Sequence, residues 1–437
     1  MALQRFLPRV KAPTTNEMTG DYMDDKSKRL RFLHFADAHI DIANYGRHDP
    51  ESGLPLRVVD FLQALDEIVD RAIDEQVDLV LFAGDAYKDR NPQPTFQREW
   101  GRRMMRLSAA GIPTLLLVGN HDNAPASGRA HTMQEYKTLQ VPHLRVSERI
   151  ELLGPEELGV PVQVITIPWV APNRLLTRSE SAGLTPDELL LEIEDRVAKG
   201  VEKMMAAADD NLPLILIAHA SVQGAKWGSE RSVMLGQELV LSRSLVADKR
   251  WDYVALGHIH RHQSLNEDRH PPIVYPGSIE RIDFGEAREE KGFVLAEVGR
   301  GACDWQFIPL QTRQFIDLAV ETPDADSFMR DVMAQLPPRE TVRGAICRVR
   351  LSYPRDWEPL LDEATILEHF AEALSVQVQK HRQVSRRARL GDNASVETLR
   401  PEELLATYWR SIGMEEEEAQ TLQELARDVL GGVEIGE

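Results

Sequence analysis

Two aspartates, an asparagine and several histidines recur in this chain at one kind of place, immediately after a short apolar run. The run "RFLHFADAHID" (31–41) ends in Asp37 and His39, and "VDLVLFAGDAYK" (77–88) ends in Asp85. "PTLLLVGNHD" (113–122) delivers Asn120, His121 and Asp122. Further on, "LPLILIAHAS" (212–221) delivers His219, and "DYVALGHIHRH" (252–262) delivers His258 and His260. Carboxylate, imidazole and amide oxygen without thiolate suit manganese, iron or zinc better than copper or an iron-sulfur cluster. The inventory exceeds what one tetrahedral ion takes. Two ions about 3.5 to 4 Å apart that share a carboxylate are the simplest arrangement. Asp85, between the other clusters in the chain, is the bridging candidate.

Each piece also has a plain reading. A lone Gly-Asp after a strand is ordinarily a turn, and a single histidine after a strand is ordinarily a satisfied or exposed one. "GHIH" is moderately specific and "GNHD" more so, and it is the whole set in order that argues for metal. The remaining histidines stay outside the site. His34 falls inside a strand and is expected in the core. His131, His143, His369 and His381 lack ligand neighbours, and His262 and His270 are read as surface residues.

The elements that must position these residues follow from periodicity. Strands are expected at 31–36, 77–83, 113–118, 162–167, 212–218, 252–256 and 272–276. Helices are expected at about 57–75, 93–110 and 186–208, from apolar spacings of three and four. Strands separated by helices indicate an α/β sandwich. In open α/β sheets the strand ends gather on one rim, where ligands bind, so the polar groups converge.

After about residue 311 the texture changes. "RQFIDLAVET", a helical "DADSFMRDVMAQL", an alternating "RGAICRVRLSY" and a helical "EATILEHFAEAL" indicate a small α+β domain. A polar linker follows. The last segment, "PEELLATYWRSIGMEEEEAQTLQELARDVLGG", reads as two short amphipathic helices broken near Gly413.

With 437 residues and 42% hydrophobic composition, the chain has room for two or more domains. No apolar run reaches the roughly 18 residues of a membrane span. Residues 1–30 lack a secretory signal and read as a flexible extension, or as residues upstream of a start at Met18 or Met23. Cys303 and Cys347 are the only cysteines, which fits a reducing cytoplasm. The formal charge, 51 − 70 = −19, is unlike that of a protein gripping nucleic acid unaided. A nucleic-acid substrate would need metals, a local basic patch or a partner chain.

Asp-x-His, Gly-Asp, Gly-Asn-His-Asp, a solitary His and Gly-His-x-His, in that order, resemble the calcineurin-like binuclear metallophosphoesterases. Within them, "HFADAHID", "GDAYKDRNPQPTFQREW", "HASVQGAKWGSE" and "YPGSIERIDFGEAREEKGF" resemble the SbcD branch of DNA repair nucleases, bacterial relatives of the meiotic recombination eleven nuclease. The resemblance is specific from Arg31 to about Leu310. It implies a four-layer αββα sandwich over 31–310, a small α+β capping domain over 311–390, and a linker with a helical C-terminal tail over 391–437.

The resemblance also implies a site. Asp37, His39, Asp85 and His260 would hold one ion, and Asp85, Asn120, His219 and His258 the other, with manganese the usual metal. His121 would contact the phosphate and is the candidate to protonate the leaving oxygen. Asp122 would orient His121. Lys88 stands where some relatives carry a second phosphate-contacting histidine; it could hold a phosphate as a point charge but not perform the same proton chemistry.

The implied activity is a manganese-dependent DNA exonuclease and endonuclease that processes double-strand breaks in the cytoplasm, at the nucleoid. Its implied partner is an SMC-type coiled-coil ATPase resembling SbcC, docked on the tail helices. No Gly-x-x-x-x-Gly-Lys-Ser/Thr loop occurs here, so ATP hydrolysis would belong to that partner. A self-packed helical hairpin is the alternative for the tail. A homodimer is implied too: Phe96, Trp100 and Met104 share one helix face, as core or as interface. The competing functions are a protein phosphatase or small-nucleotide phosphodiesterase, and a scaffold that kept the fold without catalysis. Acid that protonates the ligand histidines is expected to weaken metal binding and activity.

Overall fold

Alternation along Leu30–Phe35 (β1) sends Leu33 and Phe35 to one face and Leu30 and Phe32 to the other. Leu79–Phe82 (β2) and Thr114–Leu117 (β3) repeat the pattern, each buried on both faces. These three, with Leu144–Ser147 (β4) and the hairpin Gly292–Gly299 (β13) and Ala302–Pro309 (β14), make a sheet ordered β14-β13-β1-β2-β3-β4. The core strands β1 to β4 are parallel, and β13 joins β1 antiparallel. The computed structural model describes residues 29–124, 129–170, 180, 183–228, 239–267 and 269–383, and in the tail 405–406, 408–409, 414 and 416–431.

A second six-stranded sheet is built the same way. It is ordered β11-β12-β10-β7-β6-β5, from Glu151–Leu153 (β5), Gln163–Ile167 (β6), Leu214–His219 (β7), Tyr253–Gly257 (β10), Gln263–Ser264 (β11) and Ile273–Tyr275 (β12). Ser221–Val222 (β8) and Val240–Leu241 (β9) form a small separate pair. The inner faces of the two sheets share one apolar layer, with Phe32, Leu81 and Leu115 against Ile215, Ile217 and Ala255.

Helices cover the outer faces. Helix Leu56–Asp74 (α1) buries Val58, Phe61, Leu65, Ile68 and Ala72, a stripe at spacings of three and four. Helix Pro94–Ala109 (α2) joins it on the first sheet. On the second sheet, helix Pro186–Ala207 buries Ile193, Val197, Val201 and Met205. The layers are therefore αββα, as expected. Trp100 and Met104 are fully buried in the core, with Phe96 half-buried against it. Their shared face is accounted for by packing within the chain.

One fully buried arginine ties α1 to the chain after β12. Arg57 donates to Asp60 at 2.7 Å and to the Arg281 carbonyl, and lies 5.0 and 5.3 Å from the Phe61 and Phe315 ring centres. Arg313 also donates to Asp60, at 2.6 Å, and Glu280 accepts from the Arg313 backbone amide at 3.0 Å. Buried charges persist when each has such partners.

The chain divides into two compact units: 1–317 with 337–348 and 369–377, and 318–336 with 349–368 and 378–437. A three-stranded sheet runs Phe315–Glu321, Ile346–Pro354, Ser375–Gln383 in that order. In the second unit Phe328 meets Tyr353 and Trp357 edge-on, and Arg382 pairs with Glu358 at 2.6 Å. In the tail, Glu416–Gly431 is helical with Leu422 and Leu425 exposed. Most of the extension 1–30, the linker from 384 and the break near Gly413 lie outside the described residues. No described helix is long and apolar enough to cross a membrane.

Candidate metal centre

The backbone at the strand ends is held in an uncommon conformation. Asp37, His39, Asp85 and His258 have φ of 51°, 40°, 65° and 100°. Such left-handed residues cost on the order of 1–3 kcal/mol each and cluster at functional sites. Hydrogen bonds between strand ends over-determine them. Asp37 N donates to Gly84 O at 2.9 Å and Ala38 N to Asp85 O at 2.8 Å, while His258 N donates to both oxygens of Asp37 at 3.0 and 3.1 Å.

Gly257 lets the two sheets meet. A Cβ there would stand 2.1 Å from the Ala83 carbonyl oxygen, the acceptor of the His219 Nδ1 proton at 2.7 Å. Gly257→Ala is therefore expected to force β10 away from the end of β2 and to cut metal uptake, read by metal analysis of the purified variant. Uptake equal to the parent's would show that the close approach is dispensable.

The side chains converge. Asp37, His39 and His260 form one group with ligand atoms within 4.8 Å of one another, and Asp37, Asp85 and His219 form another. Asp85 reaches toward both, 3.3 Å from His219 Nε2 and 3.9 Å from His39 Nε2. Asn120 Oδ1 lies 2.8 Å from His219 Nε2 and 3.1 Å from His258 Nδ1. All seven residues expected as ligands are thus brought together, with Asp37 as well as Asp85 placed to be shared.

The histidines are oriented from behind. The Nδ1 of His39 and of His219 face the carbonyls of Tyr87 (3.1 Å) and Ala83 (2.7 Å), and that of His260 faces Glu286 at 3.0 Å. These partners only accept, so each Nδ1 carries a hydrogen and each Nε2 faces inward. His39 Nε2 and His260 Nε2 stand 3.2 Å apart, two imidazole nitrogens face to face. With Asp37 beside them these nitrogens make a donor set that fits a cation.

Charge at the site points the same way. Burial alone would lower the His219 pKa, but the Asp85 and Asp37 carboxylates push it up to about 9. A proton there answers the same demand for positive charge that a metal would. Burial keeps His39 well below the usual histidine range and hence neutral. Burial would raise Asp85, but His219 and His121 hold it well below the carboxylate range.

Two expectations are corrected. Asp122 does not orient His121: its carboxylate accepts from the backbone amides of Asp85 (2.7 Å), Ala86 (3.0 Å) and Gly119 (3.0 Å) and so clamps two ligand loops together. Its side chain is turned inward and fully buried. His121 is oriented instead by the main-chain carbonyl of Lys88, 2.5 Å from its Nδ1. Asp41 holds this backbone by accepting from the Lys88 and Asp89 amides, and the lysine side chain is exposed, free to meet a phosphate. His262, read as a surface residue, is half-buried and stacks on Phe307 at 3.8 Å between ring centres.

Sequence reasoning gave no role to Glu286, Lys291 or Asp41, because charged residues in loops read as solvated and only burial distinguishes them. Glu286 is held well below the carboxylate range: burial would raise it, and Lys291 and His260 overcome that. Trp169 and Trp227 flank His258 at 5.0 and 5.8 Å between ring centres. Tyr87 turns its ring into the core beside Trp100 and is not a ligand candidate.

The calcineurin-like phosphoesterase family model matches residues 30–262, more than half of the chain and every strand end described above. The chain belongs to this family. Two solved structures are similar to it: a Thermus thermophilus protein, TT1561, at 12% identity and a dimetal phosphatase from Danio rerio at 11%. The first match covers 64% of this chain and 99% of that one, the second 63% and 98%, each with a TM-score of 0.35. Members of the calcineurin-like phosphoesterase family are metal-dependent phosphoester hydrolases that use two divalent ions, and this chain carries candidate ligand clusters for them.

Proposed function

We propose that the chain is an SbcD-type nuclease that hydrolyses DNA phosphodiester bonds during double-strand-break processing, with two ions, manganese first among them. Asp37, His39, Asp85 and His260 would hold one ion and Asp85, Asn120, His219 and His258 the other. The observation that carries the hydrolytic reading is the convergence of Asp37, His39 and His260 and of Asp37, Asp85 and His219, with the Nε2 atoms of His39 and His260 facing at 3.2 Å. The nuclease reading rests on the sequence strings that resemble the SbcD branch, and on a second compact unit and helical tail that a bare phosphatase does not need.

Bound ions would supply an activated water and neutralise charge developing on the phosphoryl oxygens. The chain's own residues do the rest. The Lys88 carbonyl fixes the His121 ring by Nδ1, leaving Nε2 as the nitrogen that can exchange a proton at the phosphate. Asp85 Oδ1 accepts the His121 amide at 2.9 Å, and Asp122 ties the Gly119 turn to the Asp85 loop beneath it. On the same reading the tail helices dock on an SMC-type ATPase in the cytoplasm, and the chain works as a homodimer.

Linear duplex DNA is expected to be degraded by the purified chain with manganese, and not after chelation. If the chain binds two ions yet leaves DNA intact even with its ATPase partner, while cleaving a small chromogenic diester, the alternative phosphatase or nucleotide phosphodiesterase reading takes its place.

A further inference from the structure

Glu286 and Lys291 are fully buried, 2.9 Å apart, in a loop that contributes none of the expected ligands. One Glu286 oxygen faces His260 Nδ1 at 3.0 Å; the other accepts from Ile282 N at 2.9 Å and lies 2.9 Å from Lys291 Nζ. Lys291 Nζ also donates to the His260 carbonyl at 3.0 Å and to Glu289 at 2.9 Å. The pair therefore touches the same histidine at two points, ring and main chain.

We propose that Glu286 and Lys291 are positioning residues that clamp His260, fixing its ring with Nδ1 protonated and Nε2 turned into the metal centre, and so set the affinity of the ion His260 holds. The part concerning affinity rests on the two-metal reading above. The physical case has three steps. A carboxylate behind an imidazole fixes its tautomer and raises its basicity as a ligand. A lone carboxylate would add a buried negative charge beside the centre, and Lys291 neutralises it. Finally, burying both charges costs several kcal/mol per ion in desolvation. Apolar residues could fill the same space, so packing alone does not call for this pair.

That last step gives the test. Glu286→Gln keeps shape and removes charge, while the double variant Glu286→Leu with Lys291→Met removes both charges without stranding either. Metal-free protein is titrated with manganese by calorimetry. The His260 ring signals are followed by nitrogen-15 spectroscopy on histidine-labelled protein and identified by their loss in His260→Gln.

The Gln variant is expected to weaken one of two binding events by about 10- to 100-fold and leave the other unchanged. The double variant is expected to do the same at a melting temperature near the parent's, with His260 moving from the Nδ1-protonated form to a mixture. If the double variant does not fold, the Gln variant's isotherm decides alone. Unchanged binding in the Gln variant, or unchanged binding with an unchanged tautomer in the double variant, overturns the proposal. Failure of the metal reading looks different: the parent takes up no ions, yet the His260 tautomer in metal-free protein still depends on Glu286, which supports the clamp.

Discussion

His121→Ala is expected to slow phosphodiester hydrolysis by about 10²- to 10⁴-fold, the usual worth of a positioned acid-base group, while the variant still binds two ions. The separation of the two readouts follows from the hydrogen bonds. What His121 gives to the ion site is its backbone amide, bonded to Asp85 at 2.9 Å, and alanine retains it. What is lost is an imidazole fixed by the Lys88 carbonyl and set edge-on to His39 at 5.2 Å between ring centres. Steady-state turnover of a chromogenic diester, measured beside the metal content of the same sample, checks both halves. Turnover within a factor of about three of the parent would remove His121 from the chemistry.

The largest expected effect on stability lies away from the metal centre. Arg57→Ala should destabilise the first unit by about 3–5 kcal/mol, the range found when one partner of a buried charge pair is removed. Asp60 keeps Arg313 as a partner, but Glu280, 1% exposed, loses the guanidinium that lies 3.8 Å away. Burial already raises the Glu280 pKa, and Arg57 is the first influence opposing it. The loss should show as a drop in the denaturation midpoint on a chemical unfolding curve. A change below about 1 kcal/mol would mean that the network relaxes around the missing side chain, as exposed pairs do.

Much of this was legible in the sequence. All seven expected strands end within two residues of their expected limits, and the three long helices likewise, because strands buried on both faces and helices with one apolar stripe carry strong patterns. The hairpin Gly292–Gly299 and Ala302–Pro309 escaped, although Gly301 at φ 78° supplies its turn. The alternation of its second strand is mostly of half-exposed residues. The candidate ligands are legible because each follows an apolar run into a turn. The supports were not: Asp122 looked like a neighbour of His121, and only the fold shows its carboxylate reaching back to Asp85 and Gly119. Glu286 and Lys291 carried no signal beyond being charged.

The seven candidate ligands are divided between two sheets. Asp37, His39, Asp85 and Asn120 leave the first, and His219, His258 and His260 the second. Neither sheet completes the set. Ions shared among them would act as rivets through the sandwich, and an ion bound only by the folded chain stabilises it by about 2.7 kcal/mol at a free concentration of 100 times Kd. Metal supply would then govern how long the chain survives as well as how fast it works, so that starvation for the ion silences the enzyme and opens it to proteolysis together.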